Sequence, residues 1–274
     1  MFGKLLKNDL KAQWQSMSAI FLCSMIIAVA GELVAFFKDT AMAKVFGGLA
    51  TVLSLLFACV FVIIAVTMMF NKTMFGRAGY LTLTLPVKTS KLIWSKTLSG
   101  LIWTYLIYLL FLGSCFLWVY QIKDFVGEDA IDSAEMLFSF LGIPSFKMIA
   151  IVCIFFIISL AVSALMIIQS LYFGITISNV KPFSKLGIIG AILGFFLCFY
   201  VVQTLSVGVS ELLPMGMVVS PKTIVFTSDT VGALAEAGKN AIKINFTGPI
   251  FRLIAGIALN FPIVFLAKNY VNVK

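Results

Sequence analysis

Residues 148–180 read MIAIVCIFFIISLAVSALMIIQSLYFGITISNV and contain no Asp, Glu, Lys or Arg. About 20 apolar residues in a helix cover the hydrocarbon core of a bilayer. Lipid offers the backbone no hydrogen bonds, so a run of this kind must cross as a helix. Five further stretches have the same character: 17–37, 45–70, 97–120, 186–210 and 249–270. The first holds one charge, Glu32. The last is shortened by Arg252, which leaves Leu253 to Ala267 uncharged unless the arginine snorkels to the interface. The expected fold is an all-α membrane protein, a single transmembrane domain over 1–274 with six transmembrane helices.

Charge sets the orientation. The segments 1–16, 71–96, 181–185 and the tail after 267 alternate with the others along the chain. They carry twelve bases, Lys4, Lys7, Lys11, Lys72, Arg77, Lys88, Lys91, Lys96, Lys181, Lys185, Lys268 and Lys274, against one acid, Asp9. The intervening segments hold the other eight bases and nine acids, among them Asp124, Glu128, Asp129, Asp132 and Glu135. Excess Lys and Arg on short loops marks the cytoplasmic side, so both termini are expected there. Trp14, Trp94 and Tyr270 fall at inner edges, and Trp118 and Tyr120 at an outer one. A reporter fused after Lys274 is expected to be active only in the cytoplasm. A cysteine placed at Asp129 is expected to react with a membrane-impermeant reagent added outside, and its protection there would overturn the map.

Composition excludes several classes. At 61% hydrophobic and 11% charged residues, the chain is not a soluble domain. Its net charge of +9 lies on short cytoplasmic segments, where topology and anionic lipid account for it, so no nucleic-acid partner is implied. The chain has no histidine, which removes His-based acid–base chemistry and His–metal sites; no metal site is expected. Cys23, Cys59, Cys115, Cys153 and Cys198 lie one in each of the first five crossings and form no CxxC pair. They read as small buried apolar residues, with no outer disulfide framework. Ala28-Val29-Ala30 resembles a signal-peptidase site, but the apolar run continues through Phe37, so an uncleaved anchor is expected.

Residues 2–14 repeat Phe2, Leu6, Leu10 and Trp14 every four positions, with Lys4, Lys7, Asn8 and Lys11 between them. This predicts an amphipathic interfacial helix within 1–16. The segment 71–96 carries five bases and no acid. Gly76 and Gly79 permit a tight bend. Leu81, Leu83 and Leu85 alternate with threonines, Pro86 stops a helix, and Ser90 can cap the next one. The reading is a shaped cytoplasmic platform.

Phe75-Gly76-Arg77-Ala78-Gly79-Tyr80-Leu81, then Thr84-Leu85-Pro86-Val87, then Leu92 and Ser95-Lys96 together resemble the signature of permease subunits of bacterial ABC exporters of the second type. Ser170-Leu171-Tyr172-Phe173-Gly174 and the basic turn Lys181 to Lys185 add a second match. The resemblance covers nearly the whole chain: an interfacial N-terminal helix, six crossings, a coupling helix in 71–96 and a longer outer segment, 208–250, before the last crossing. Relatives often carry acids just before the Gly-Tyr pair, where this chain has Arg77 and Ala78.

The resemblance implies a transport subunit in the bacterial cytoplasmic membrane. The chain lacks a Gly-x-x-x-x-Gly-Lys-Ser/Thr phosphate loop, so it is not itself an enzyme and holds no cofactor. ATP and magnesium would bind separate ABC ATP-binding subunits. Phe75, Gly76, Arg77, Gly79, Tyr80, Leu81, Leu85 and Pro86 would couple to them. A second permease chain, identical or related, would complete the path for an amphipathic or lipid-like cargo such as an antimicrobial peptide, a drug or a lipid. Glu32, Gln169 and Gln203 are candidate substrate-path residues; the amides can equally make interhelix hydrogen bonds. Gly187, Gly190 and Gly194 form a small-residue face on the fifth crossing, suited to packing within the chain or to a dimer seam. The eight apolar residues Leu212 to Val219 are too few to cross and would dip into the outer leaflet as a re-entrant piece. Asn245-Phe246-Thr247 matches a glycosylation sequon by chance. A different class, a non-transport sensor or immunity subunit binding a peptide at its outer face, is distinguished by the lack of an associated ATPase.

Overall fold

The computed structural model describes residues 2–38, 41–76, 79, 87–126, 146–181, 183–219, 224–228 and 242–269. Arg77, Ala78 and Tyr80 to Pro86 of the expected coupling segment lie outside these residues. So do Asp129 and most of the outer loop around it.

The helices are α1 (Phe2–Lys38), α2 (Ala41–Met74), α3 (Thr89–Val126), α4 (Phe146–Ser178), α5 (Gly187–Leu212), α6 (Thr247–Ala258) and α7 (Asn260–Asn269). A short 3-10 turn, Phe183–Lys185, links α4 to α5. Among the described residues, six spans are long and apolar enough to cross a membrane, the sixth being α6 and α7 together. This is the architecture of a multi-pass membrane protein. Large apolar side chains face outward over the bundle, including Phe46, Phe61, Ile188 and Phe261, the last two at 80% and 77% exposure. A surface of that kind is unsupportable in water and suits hydrocarbon.

α1 and α2 pack antiparallel. Thr51 Oγ1 donates to the Ala28 carbonyl, Ser54 Oγ to that of Ser24, and a Cβ on Gly31 would stand 2.7 Å from the Gly47 carbonyl. α1 runs alongside α3 in the same direction, with Trp14 and Phe21 both against Trp103. α4 joins α3 antiparallel and pairs closely with α5. The core is formed by Met17, Leu55, Val62, Val66, Phe70, Met74, Ile93, Ile107, Ile168, Tyr172 and Ile263.

Two expectations are corrected. Residues 2–14 are helical, but they do not form a separate helix over 1–16; α1 runs unbroken to Lys38. Kinks need a cause such as Gly or Pro, and residues 12–20 contain neither. Asp9 and Gln13 also bind α3, which holds this part of α1 along the bundle. α3 begins at Thr89, so Ser90 sits in the first turn and not at the cap. The last crossing runs through α6 and α7 as one span; Leu259 between them keeps helical backbone (φ −59°, ψ −21°) and donates to the Ala255 carbonyl, and only the bond that Pro262 would give to Ala258 is lost.

The segment between α5 and α6 is also unlike its reading. In its described part it forms a three-stranded antiparallel sheet, ordered β2 (Ile224–Thr227), β1 (Gly216–Val219), β3 (Ile242–Asn245). Gly216 pairs with Thr227 on one side and Asn245 on the other. Met217, Val219 and Ile244 pack with Ile151, Phe155 and Phe246, so the sheet caps α4. Leu212 to Val219 comprise the end of α5, a turn and a central strand, and not a re-entrant helix. Both sequon side chains are engaged: Asn245 Oδ1 accepts from the Thr247 N–H at 2.9 Å, and Thr247 Oγ1 donates to the Leu213 carbonyl at 2.6 Å.

Candidate functional site at the basic end of the bundle

The end of α2 is drawn inward by aromatic packing. Phe70 stacks on Tyr172 of α4, centroids 3.7 Å apart and planes 8° from parallel. Phe75 meets Phe70 edge-on. Met74 and Phe75 are buried, so the chain leaves α2 from inside the bundle. The Asn71 carbonyl accepts from both the Phe75 and the Gly76 N–H, and the Gly79 N–H donates back to the Gly76 carbonyl at 2.7 Å. A Cβ on Gly76 would lie 2.7 Å from the Lys72 carbonyl oxygen, and one on Gly79 2.5 Å from that of Met74. Glycine is required at both by backbone approach.

Behind this turn lies a buried polar network. The Asp9 carboxylate accepts from Ser95 Oγ at 2.6 Å and from Lys96 Nζ at 3.2 Å. Gln13 Nε2 donates to Ser99 Oγ at 3.0 Å. Tyr172 Oη donates to the Lys96 carbonyl at 3.3 Å, and Gln169 Nε2 to Thr97 Oγ1 at 3.3 Å. The Lys96 side chain is 8% exposed and that of Asp9 20%. Buried charge is tolerated when paired and hydrogen-bonded, and here the pairing ties α1 to α3 just behind the loop. Within the motif Ser170 to Gly174, Ser170 returns its hydroxyl to the Met166 carbonyl and Tyr172 joins this network. Gly174 meets α5 so closely that a Cβ would collide with the Ala191 carbonyl and stand 2.7 Å from the Phe195 nitrogen.

The candidate residues are thus divided. Phe75, Gly76 and Gly79 come together at the end of α2; Arg77, Tyr80, Leu81, Leu85 and Pro86 are outside the described residues. Glu32, Gln169 and Gln203 sit in separate places. Glu32 is half-buried and accepts from Thr51 Oγ1 at 3.2 Å. Gln169 is fully buried in the polar network, and Gln203 is half-buried on α5. Of the glycine face, Gly194 packs on Gly174 within the chain, its Cβ position 3.0 Å from the Gly174 Cα. Gly190 lies near Ser178 of α4, and Gly187 makes the turn into α5 at φ +51°, where a Cβ would meet nothing. In the sequence, Asp9 stands out only by its charge. Its signal was present: it is the lone acid in four basic segments, one helix away from Ser95-Lys96.

No protein-family model, curated protein or solved structure matches this chain.

Proposed function

We propose that this chain is the membrane-spanning permease subunit of an ATP-driven bacterial ABC exporter, moving an amphipathic or lipid-like cargo across the cytoplasmic membrane. Both termini and the basic end of the bundle face the cytoplasm. ATP and magnesium are bound by partner subunits that dock on the segment between α2 and α3, and the first turns of α1 meet the inner headgroups with Lys4, Lys7 and Lys11. The observation that carries this reading is the Asp9–Ser95–Lys96 network behind that segment. It joins the start of α3 to α1, while Phe70 and Phe75 join the end of α2 to Tyr172 of α4. A push on the loop therefore reaches α1 through α3 and α4 through α2, by contacts that are largely buried and closely spaced. The outward face of the bundle is apolar, and a wide aqueous pore would need a polar lining, so the cargo travels along an apolar seam completed by a second permease chain.

Tagged protein solubilised from its own membranes is expected to bring down an ATP-binding subunit, with ATP hydrolysis stimulated by amphipathic peptides or lipids. Gly79→Val adds a side chain where the Met74 carbonyl stands 2.5 Å away. It is expected to leave the protein inserted and to cut stimulated hydrolysis by about tenfold or more, because it displaces the docking loop by a fraction of an ångström. Full stimulation by this variant with the ATPase bound at the usual level would show that the loop does not transmit the stroke. Absence of any ATPase from the intact chain would favour the outer-face sensor.

A further inference from the structure

Between the ends of α2 and α4 and the start of α5 lies an open groove of about 460 Å³. Its lining is layered. Asn71, Lys181 and Ser184 stand at the basic end; Met68, Ile188 and Ala191 lie deeper. Met68 precedes Asn71, and Ala191 follows Ile188, by about one helical turn, roughly 5 Å along the axis. Met68 and Ile188 are 67% and 80% exposed, so the deep part opens sideways to the surface that hydrocarbon covers. Lys181 is exposed and forms no ion pair among the described residues. The inner segments contain a single acid, Asp9, and it is taken by Lys96. Lys72 and Lys185 are exposed in elements bordering the groove, and no acid lines it. The α5 helix starts here without a side-chain cap or an acid in its first turn, which leaves its positive end open.

We propose that this groove holds one anionic phospholipid of the inner leaflet, its phosphate beside Lys181, Ser184 and Asn71 and its acyl chains along Met68, Ile188 and Ala191. A basic recess between helices on the cytoplasmic side recognises an anionic headgroup through point charges and hydroxyl donors. The layering argues against a purely soluble anion as the natural occupant, since Met68, Ile175, Ile188 and Ala191 would then be apolar surface left against water. The site requires only that the basic end face the anionic leaflet, so it stands or falls separately from ATP coupling.

The test is native mass spectrometry of the full chain in micelles containing phosphatidylglycerol and phosphatidylcholine in equal amounts. Lys181→Glu is expected to lower retained phosphatidylglycerol about tenfold relative to wild type, with phosphatidylcholine unchanged. Lys88→Glu, an exposed base at the same end of the molecule, is expected to change retention less than about twofold. Ser184→Asp adds a negative charge at the headgroup position and is expected to repeat the Lys181→Glu result, and gel filtration checks that each variant folds. Excess inorganic phosphate is expected not to displace the lipid. Undiminished phosphatidylglycerol in Lys181→Glu, equal loss in Lys88→Glu, or displacement by inorganic phosphate would each overturn the site. Loss of a bound ATPase from Lys181→Glu with lipid retention intact would reassign the groove to a protein contact.

Discussion

Gly174→Val is expected to abolish the folded bundle, and even Gly174→Ala should lower its melting temperature by several degrees. The crossing of α4 and α5 is backbone against backbone at this point. A Cβ on Gly174 collides with the Ala191 carbonyl and lies 2.7 Å from the Phe195 nitrogen; the reciprocal Cβ on Gly194 would lie 3.0 Å from the Gly174 Cα. Neither neighbour is the tip of a flexible side chain, so relief requires moving a whole helix. Overpacking a close-packed site costs about 1–3 kcal/mol when side chains can yield, and a rigid backbone contact puts valine above that range. Spreading the pair would also weaken the packing that holds membrane helices together, where close approach of small residues takes the place of a hydrophobic drive. Gly208→Ala in α5 is the contrast, because its Cβ position has nothing within 4 Å. Alanine there should be neutral or stabilising by up to about 1 kcal/mol through helix propensity. Gel-filtration profiles after graded heating measure both. A Gly174→Val protein that survives as well as Gly208→Ala would mean that α4 and α5 are not in contact at this register.

The six crossings were legible because each is a long apolar run, and such a run has one stable conformation in lipid. Their ends were not. α2 extends from Ala41 to Met74 where the uncharged stretch is 45–70, and α4 starts before residue 148. Apolarity marks the hydrocarbon, whereas the helix continues into polar turns that still make their own hydrogen bonds. The sheet between α5 and α6 is hidden for a different reason. Its central strand Gly216–Val219 is buried at every residue, so it reads as a continuous apolar run without period-two alternation. Its partner Ile242–Asn245 is more than twenty residues away, and a local pattern does not report such pairing. The polar network shows the same limit. Asp9 and Lys96 are each plain in the sequence, but their meeting depends on α1 continuing past residue 14 alongside α3. Read as an interfacial helix, that segment would have carried Asp9 away. Gln169 was noticed as a polar group in a crossing; its place beside Thr97 required knowing which face of α4 meets α3.

Asp9→Ala is expected to destabilise the protein by about 3 kcal/mol or more, and Lys96→Met by less, because Asp9 is the more exposed of the two. Asp9→Ala leaves the buried Lys96 without its partner, and truncating one side of a buried pair costs about 3–5 kcal/mol; Lys96→Met leaves Asp9, which is partly exposed and retains its bond from Ser95. Asp9→Ala also strips Ser95 of the acceptor it reaches at 2.6 Å, which adds the cost of an unmet buried hydroxyl. The double variant Asp9→Leu with Lys96→Met should recover most of the loss, because an apolar pair of similar volume is often as stable as the ion pair it replaces. The cycle should then show a coupling of about 2 kcal/mol or more, within the range for residues in direct contact. The double variant also separates stability from transmission. It is expected to fold and to keep the Phe70–Tyr172 stack and the Gly76–Gly79 turn, while losing the charged tie between α1 and α3 together with the Ser95 hydrogen bond to Asp9. If that tie carries the stroke from the loop to α1, the double variant binds the ATPase normally but hydrolyses ATP without responding to amphipathic cargo. Normal cargo stimulation in a double variant of wild-type stability would make the pair a packing element alone and leave the aromatic stack on α4 as the route of coupling.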